Sequence, residues 1–137
     1  MRLRVVAVGK PRLAYARLGV EEYARRIQKY APLEVQFVKE ARELLPKAEG
    51  HRAVVLDERG RLFTTEGLLE ALRRWEGERV AFLVGGAEGY PEGVRERADL
   101  LLALSPLTLQ HELALLVLME QLYRILTLRA GHPYHRP

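Results

Sequence analysis

The chain contains no cysteine. That excludes a disulfide framework and a thiolate metal site, and it fits a reducing compartment. No apolar run approaches the roughly 20 residues a membrane-spanning helix needs. The opening stretch MRLRVVAVG is too short for a secretory core and carries Arg4 within it, so no secretory segment is expected. The expectation is a cytoplasmic protein without membrane association. Charge of either sign is scarce in excess: the net value is +4 over 137 residues, with arginine far outnumbering lysine. Such an excess permits a polyanionic partner without requiring one. Linkers, internal repeats and low-complexity stretches are also missing, so residues 1–137 are expected to form one domain.

What is present is enough apolar sequence for a core, 48% of the chain. LRVVAV at Leu3–Val8 is β-branched and stops at Gly9, which predicts a strand. Leu33–Val38 alternates apolar and polar residues, which predicts a strand with one exposed face near a sheet edge. Ala53–Leu56, Val80–Val84 and Leu100–Leu104 are continuously apolar, the pattern of strands buried on both faces. Asp57-Glu58-Arg59-Gly60 reads as a turn ending the first of these. Amphipathic periodicity predicts a helix over Tyr15–Tyr30; further helices are predicted over Glu66–Trp75 and Leu109–Arg129, with shorter ones over Ala41–Glu49 and Pro91–Ala98. Thr64 or Thr65 suits a helix N-cap, and Gly131 stands where a C′ glycine belongs. Strands alternating with helices predict an α/β fold, a mostly parallel sheet with helices on both faces. Leu113–Met119 is apolar without a break. A helix apolar all round is either a central core helix or shares a face with a second subunit.

Ligand crevices of parallel sheets lie outside the carboxyl ends of the strands. Leu56-Asp57-Glu58, Gly85-Gly86-Ala87-Glu88-Gly89 and Leu104 to Leu109 all fall at such ends. If their strands are neighbours, these loops enclose one pocket. Gly85 and Gly86 would let backbone groups touch a ligand, with Leu107 and Leu109 as walls for a flat ring. Gly85, Gly86 and Gly89 match neither the Walker nor the dinucleotide spacing. Glu88 in the loop would repel phosphate, so a nucleoside with a cationic or zwitterionic tail fits better than a triphosphate. The chain ends on Gly131-His132-Pro133-Tyr134-His135-Arg136-Pro137. Imidazole can act as acid or base near neutral pH, tyrosine can stack on a base, and arginine can hold phosphate. Terminal segments commonly fray, yet two prolines stiffen this one. His132 and His135 lack a third ligand, so no metal site is expected. His111 serves either as a helix-end hydrogen bonder or as a ligand contact. Glu120 and Arg124 are spaced to pair.

The segments VAVGK, LDERG, FLVGGAEG, LSPLTLQH, EQLYR and GHPYHR, in this order and spacing, resemble the bacterial large-subunit rRNA pseudouridine N3-methyltransferase family of the SPOUT class. The likeness runs over essentially the whole chain. It implies an α/β fold with a C-terminal trefoil knot and a homodimer through the C-terminal helix. It also implies S-adenosyl-L-methionine as methyl donor and, as acceptor, a pseudouridine in helix 69 of 23S rRNA on the ribosome. Cofactor contacts carried over by motif fall on Leu56, Gly85, Gly86, Leu104, Ser105, Pro106, Leu107, Thr108 and Leu109. The tail match implies His135 as base, with Arg136 and Tyr134 holding the nucleotide; Glu88 near the sulfonium is a second expectation, from charge complementarity. The chain departs from the family pattern at Ala87, Gln110 and Leu115, where proline, proline and a basic residue are usual. Two rivals remain: a nucleotide- or flavin-binding α/β protein without an RNA substrate, and a ribosome-binding module without catalysis.

Overall fold

The computed structural model describes residues 1–136. Five strands, β1 (Arg2–Val8), β2 (Leu33–Val38), β3 (Arg52–Leu62), β4 (Arg79–Val84) and β5 (Leu100–Ala103), form one sheet in the order β2-β1-β4-β3-β5. Every pairing is parallel. The central strands β1, β3 and β4 are rich in buried apolar residues because both their faces are covered. The wholly apolar β5 stands at an edge, its first two leucines only partly buried. Leu3, Val5 and Ala7 of β1 and Val80, Phe82 and Val84 of β4 face one core. Val6, Ala81 and Leu83 face the other. As its alternation requires, β2 lies at the other edge.

The helices α1 (Ala14–Gln28), α2 (Thr65–Arg73) and α3 (His111–Arg129) bury Val20, Ile27, Leu68, Leu72, Leu118 and Leu122 against the first face. The second face is covered by two short 3-10 helices, Ala41–Glu43 and Leu45–Ala48, and by the chain around Val94. Helical elements thus stand on both faces, unequally. Thr64 caps α2 by accepting from the Gly67 N–H at 3.0 Å, and Gln110 caps α3 by accepting from Glu112 and Leu113 N–H. The end of α3 closes as a Schellman turn. His132 N–H reaches Thr127 O, Gly131 N–H reaches Leu128 O, and Gly131 has φ +77°. Leu115 is 2% exposed, so the position where the family carries a basic residue is here part of the core.

Two elements differ from expectation. Asp57-Glu58-Arg59-Gly60 is not a turn, since β3 continues through it to Leu62. The β3–β4 ladder ends at Val55 against Leu83, and beyond it β3 runs on beside β5 after a register shift. Gly60 makes that possible: a Cβ there would lie 2.7 Å from the Leu101 carbonyl. Pro91–Ala98 forms turns and no helix, because Gly93 sits at φ +91° in the middle of the segment.

Candidate active site

The strands β4, β3 and β5 are neighbours, so the loops and strand ends they carry converge. They enclose a cavity of about 560 Å³, within the range of small-molecule sites. Leu56, Gly85, Gly86, Leu104, Ser105, Leu107, Thr108 and Leu109 line it. Pro106, which the motif carry-over placed with them, is not among the lining residues. Leu107, an apolar side chain in the lining, is 74% exposed. Ser105 Oγ accepts from the Leu107 N–H at 2.9 Å, which fixes the turn carrying it. Thr108 Oγ1 donates to Glu58 at 3.1 Å and ties the loop after β5 to β3. His111, at the start of α3, lines the cavity and also sits 3.4 Å from the Gln110 amide.

Of the acids in the loops the sequence grouped, Asp57 and Glu58 line this cavity and Glu88 does not. Glu88 is exposed at the tip of the Gly86–Gly89 turn. Asp57 is 7% exposed. It accepts from the Arg59 N–H and is paired with the Arg95 guanidinium. Burial pushes its carboxyl up, but those partners outweigh burial and hold it below the usual carboxylate value. Glu58 is exposed and has no cation paired with it among the described residues.

Sequence reasoning missed Tyr90 and Arg95. Tyr90 Oη accepts from the Gly85 N–H at 3.0 Å and contacts the carbonyls of Leu56 and Leu83, the latter at 3.1 Å. Arg95 lies 5.7 Å from the Tyr90 ring centroid. An aromatic residue directly after a glycine-rich loop was the only available signal. Its partners come from strands far apart in sequence.

The tail is docked, not frayed. Tyr134 packs edge-on to Tyr123 at 4.6 Å and donates to Glu120 at 2.9 Å. Arg124 pairs with Glu120 at 2.6 Å, stacks 4.9 Å from the Tyr134 ring, and donates to His135 Nδ1 at 3.1 Å. Burial, with Tyr23 and Glu120 as hydrogen-bond partners, holds the Tyr134 phenol above its ordinary value. Arg136 is exposed. The cavity takes Ala114 from α3, whereas the tail rests on Glu120 and Arg124. Ten residues along a helix separate Ala114 from Arg124 by about 15 Å. Tyr134, His135 and Arg136 therefore do not line the cavity of their own chain.

Among the described residues no three His, Cys, Asp or Glu side chains gather as a metal site, and no helix is long and apolar enough to cross a membrane.

A family model described as "Predicted SPOUT methyltransferase" matches residues 1–135. The chain is 82% identical over 137 residues to ribosomal RNA large subunit methyltransferase H of Thermus thermophilus, covering 100% of both chains. It is 42% identical over 146 residues to the Deinococcus radiodurans protein of the same name, covering 99% of each. Among solved structures it is similar to a tRNA methyltransferase of Aquifex aeolicus, with TM-score 0.59 and 15% identity over 100% of this chain and 77% of that one. A Legionella pneumophila protein described as a methyltransferase, solved with the bound cofactor SAM, gives TM-score 0.52 and 10% identity over 90% of this chain and 66% of that one. At such identities these two structures speak for the fold alone.

Proposed function

The chain belongs to the SPOUT methyltransferase family, and from that premise we propose that it transfers a methyl group from S-adenosylmethionine to N3 of a pseudouridine in helix 69 of 23S rRNA. It acts in the cytoplasm, on the ribosome, as a homodimer with a knotted C-terminal segment. The relatives named large-subunit rRNA methyltransferases supply the acceptor class. The observation that carries the assignment is the cavity where the neighbouring strands β4, β3 and β5 bring together apolar walls, a glycine backbone and the Glu58 carboxylate.

The cavity fits the donor by its chemistry. Leu104, Leu107 and Leu109 offer apolar surface to a flat ring, and the Gly85-Gly86 backbone permits close approach. Glu58 complements a cationic group. S-adenosylmethionine, when bound, supplies a methyl already activated on a sulfonium. The protein's share is to align an in-line displacement and to remove a proton. The N3 imide of pseudouridine is neutral at pH 7. His135 would take the N3 proton of the acceptor, with Tyr134 and Arg136 holding the nucleotide. The tail of one chain lies too far along α3 to serve its own cavity. The tail of a second copy completes the site, so each active centre draws on two chains. Half-exposed Leu113 and Val117 on α3 are the apolar surface that a second copy covers.

The test is incorporation of labelled methyl from S-adenosylmethionine into ribosomes that lack the modification. Label in large-subunit RNA supports the function. Intact cofactor binding without label in any ribosomal particle contradicts it.

A further inference from the structure

The floor of the cavity contains a group to which neither the family likeness nor the methyl-transfer chemistry assigns a role. The ladder between β3 and β4 stops at Val55 against Leu83. One residue further the two strands part, and their backbone groups would be left without partners inside a partly buried crevice. The Tyr90 hydroxyl fills this gap. It accepts from the Gly85 N–H at 3.0 Å and donates to a carbonyl at one of the two strand ends, Leu56 or Leu83. A hydroxyl carries one proton, so the two carbonyls share it. Tyr90 thus joins β3 to β4 where the backbone no longer does.

The loop that brings Tyr90 there is tight. Gly86 and Gly89 form an isolated bridge, and Gly89 N–H returns to Gly86 O at 3.1 Å with Gly89 at φ +78°. The ring then lies so close to Gly85 that a Cβ there would come within 3.1 Å of it. Arg95 also faces the ring and is anchored on buried Asp57. Ring, hydroxyl and ion pair together set where Leu56, Gly85 and Gly86 stand on the cavity wall.

Resting on the assignment of this cavity to S-adenosylmethionine, we infer that Tyr90 is a positioning residue that holds the Gly85–Gly89 loop and the ends of β3 and β4 in their binding shape. A loop already held in that shape does not have to be ordered when the ligand arrives, so affinity is gained without a new contact. Burial raises the phenol to about 12, so the hydroxyl keeps its proton at neutral pH. The role is one of binding: the hydroxyl touches backbone and takes no part in proton removal from the acceptor.

The experiment is Tyr90→Phe in the full-length protein, with Arg95→Gln as a second variant that keeps the hydroxyl but releases the ring. S-adenosylhomocysteine affinity is measured by calorimetry, and exchange of the Gly85 amide by mass spectrometry. Loss of the hydroxyl leaves Gly85 N–H without its partner, and the expected result is an affinity loss of about tenfold. Gly85 exchange quickens, the KM for S-adenosylmethionine rises in step, and kcat at saturation stays near wild type. Arg95→Gln moves affinity in the same direction by less. Unchanged affinity in Tyr90→Phe, with wild type binding normally, overturns the inference and leaves the cavity assignment standing. Tighter binding also overturns it, because Tyr90 would then be occupying groups the ligand needs. If wild type binds no S-adenosyl ligand, the cavity assignment fails and the inference fails with it.

Discussion

Arg124 donates a hydrogen bond to Nδ1 of His135 at 3.1 Å. A guanidinium cannot accept, so Nδ1 is the acceptor and the neutral ring carries its proton on Nε2. That nitrogen is buried without a hydrogen-bond partner, 3.5 Å from Glu66. Docked this way, the imidazole has no free lone pair to take a proton. To serve as base it must leave Arg124, which fits a tail that works in the cavity of the other chain. His135→Gln is expected to lower single-turnover methyl transfer by about a hundredfold or more, the scale of lost general-base catalysis. Cofactor affinity by calorimetry stays near wild type, because His135 does not line its own chain's cavity. Undiminished turnover would remove His135 from the chemistry.

The two-chain site predicts complementation. One parent ends at Gly131 and so lacks the tail. The other carries Gly85→Val, whose side chain would meet the Tyr90 ring and the Gly89 carbonyl. Each alone is expected to be inactive. Random mixing makes half the dimers heterodimers with one intact composite site, so activity returns to roughly a quarter of wild type. A mixture as inactive as its parents would place both halves of the site on a single chain.

Gly60 predicts a stability defect away from the tail. A Cβ there lies 2.7 Å from the Leu101 carbon and oxygen and 2.9 Å from the Leu102 nitrogen. Those are backbone atoms of the paired strand β5, which cannot step aside without breaking the ladder. Gly60→Val is expected to cost about 1–3 kcal/mol, as overpacking does. Chemical denaturation should show a lower midpoint. An unchanged midpoint would mean that the β3 extension is not held against β5.

Asp57 predicts an acid limb. Its folded carboxyl sits below the ordinary aspartate value of 3.8. A lowered acid contributes stability that is fully present above its unfolded value and is lost as pH falls through the folded one. The contribution is therefore constant from neutrality down to about pH 4 and disappears below it. Asp57→Asn should lower stability at pH 7 by about 1–3 kcal/mol and flatten the decline below about pH 4. A variant whose loss is the same in strong acid as at neutrality would show that the Arg95 and Arg59 contacts do not stabilise the ionised form.

The parallel sheet was legible because burial on two faces leaves continuous apolar runs at Ala53–Leu56, Val80–Val84 and Leu100–Leu104. The grouping of Leu56, Gly85 and Leu104 to Leu109 followed from strand ends alone, although it took the order β4-β3-β5 to bring them together. Local composition misled where distant partners decide. Asp57 to Gly60 looks like a turn because it is charged, yet Arg95 neutralises Asp57 from 38 residues away and β5 accepts Gly60 against its backbone. The span Pro91–Ala98 has helical composition, but Gly93 is in the left-handed region. Glu88 was judged by its place in the motif, and the turn aims it away from the cavity. The role of Tyr90 was not legible from its place after the glycine loop, because Leu56 becomes its neighbour only in the folded sheet. The residue types of the tail suggested acid–base chemistry. Its dock on Glu120 and Arg124 was not visible, since those residues look like an ordinary helical pair.

The measurement that bears most directly on the proposed function is location of the transferred methyl. Ribosomes lacking the modification are incubated with the protein and labelled S-adenosylmethionine, the RNA is digested, and the labelled nucleotide is identified by mass spectrometry. The account predicts methyl at N3 of a pseudouridine in helix 69 of 23S rRNA and its loss in the His135→Gln protein. Methyl on another base, or on an RNA outside the large subunit, would contradict the proposed acceptor.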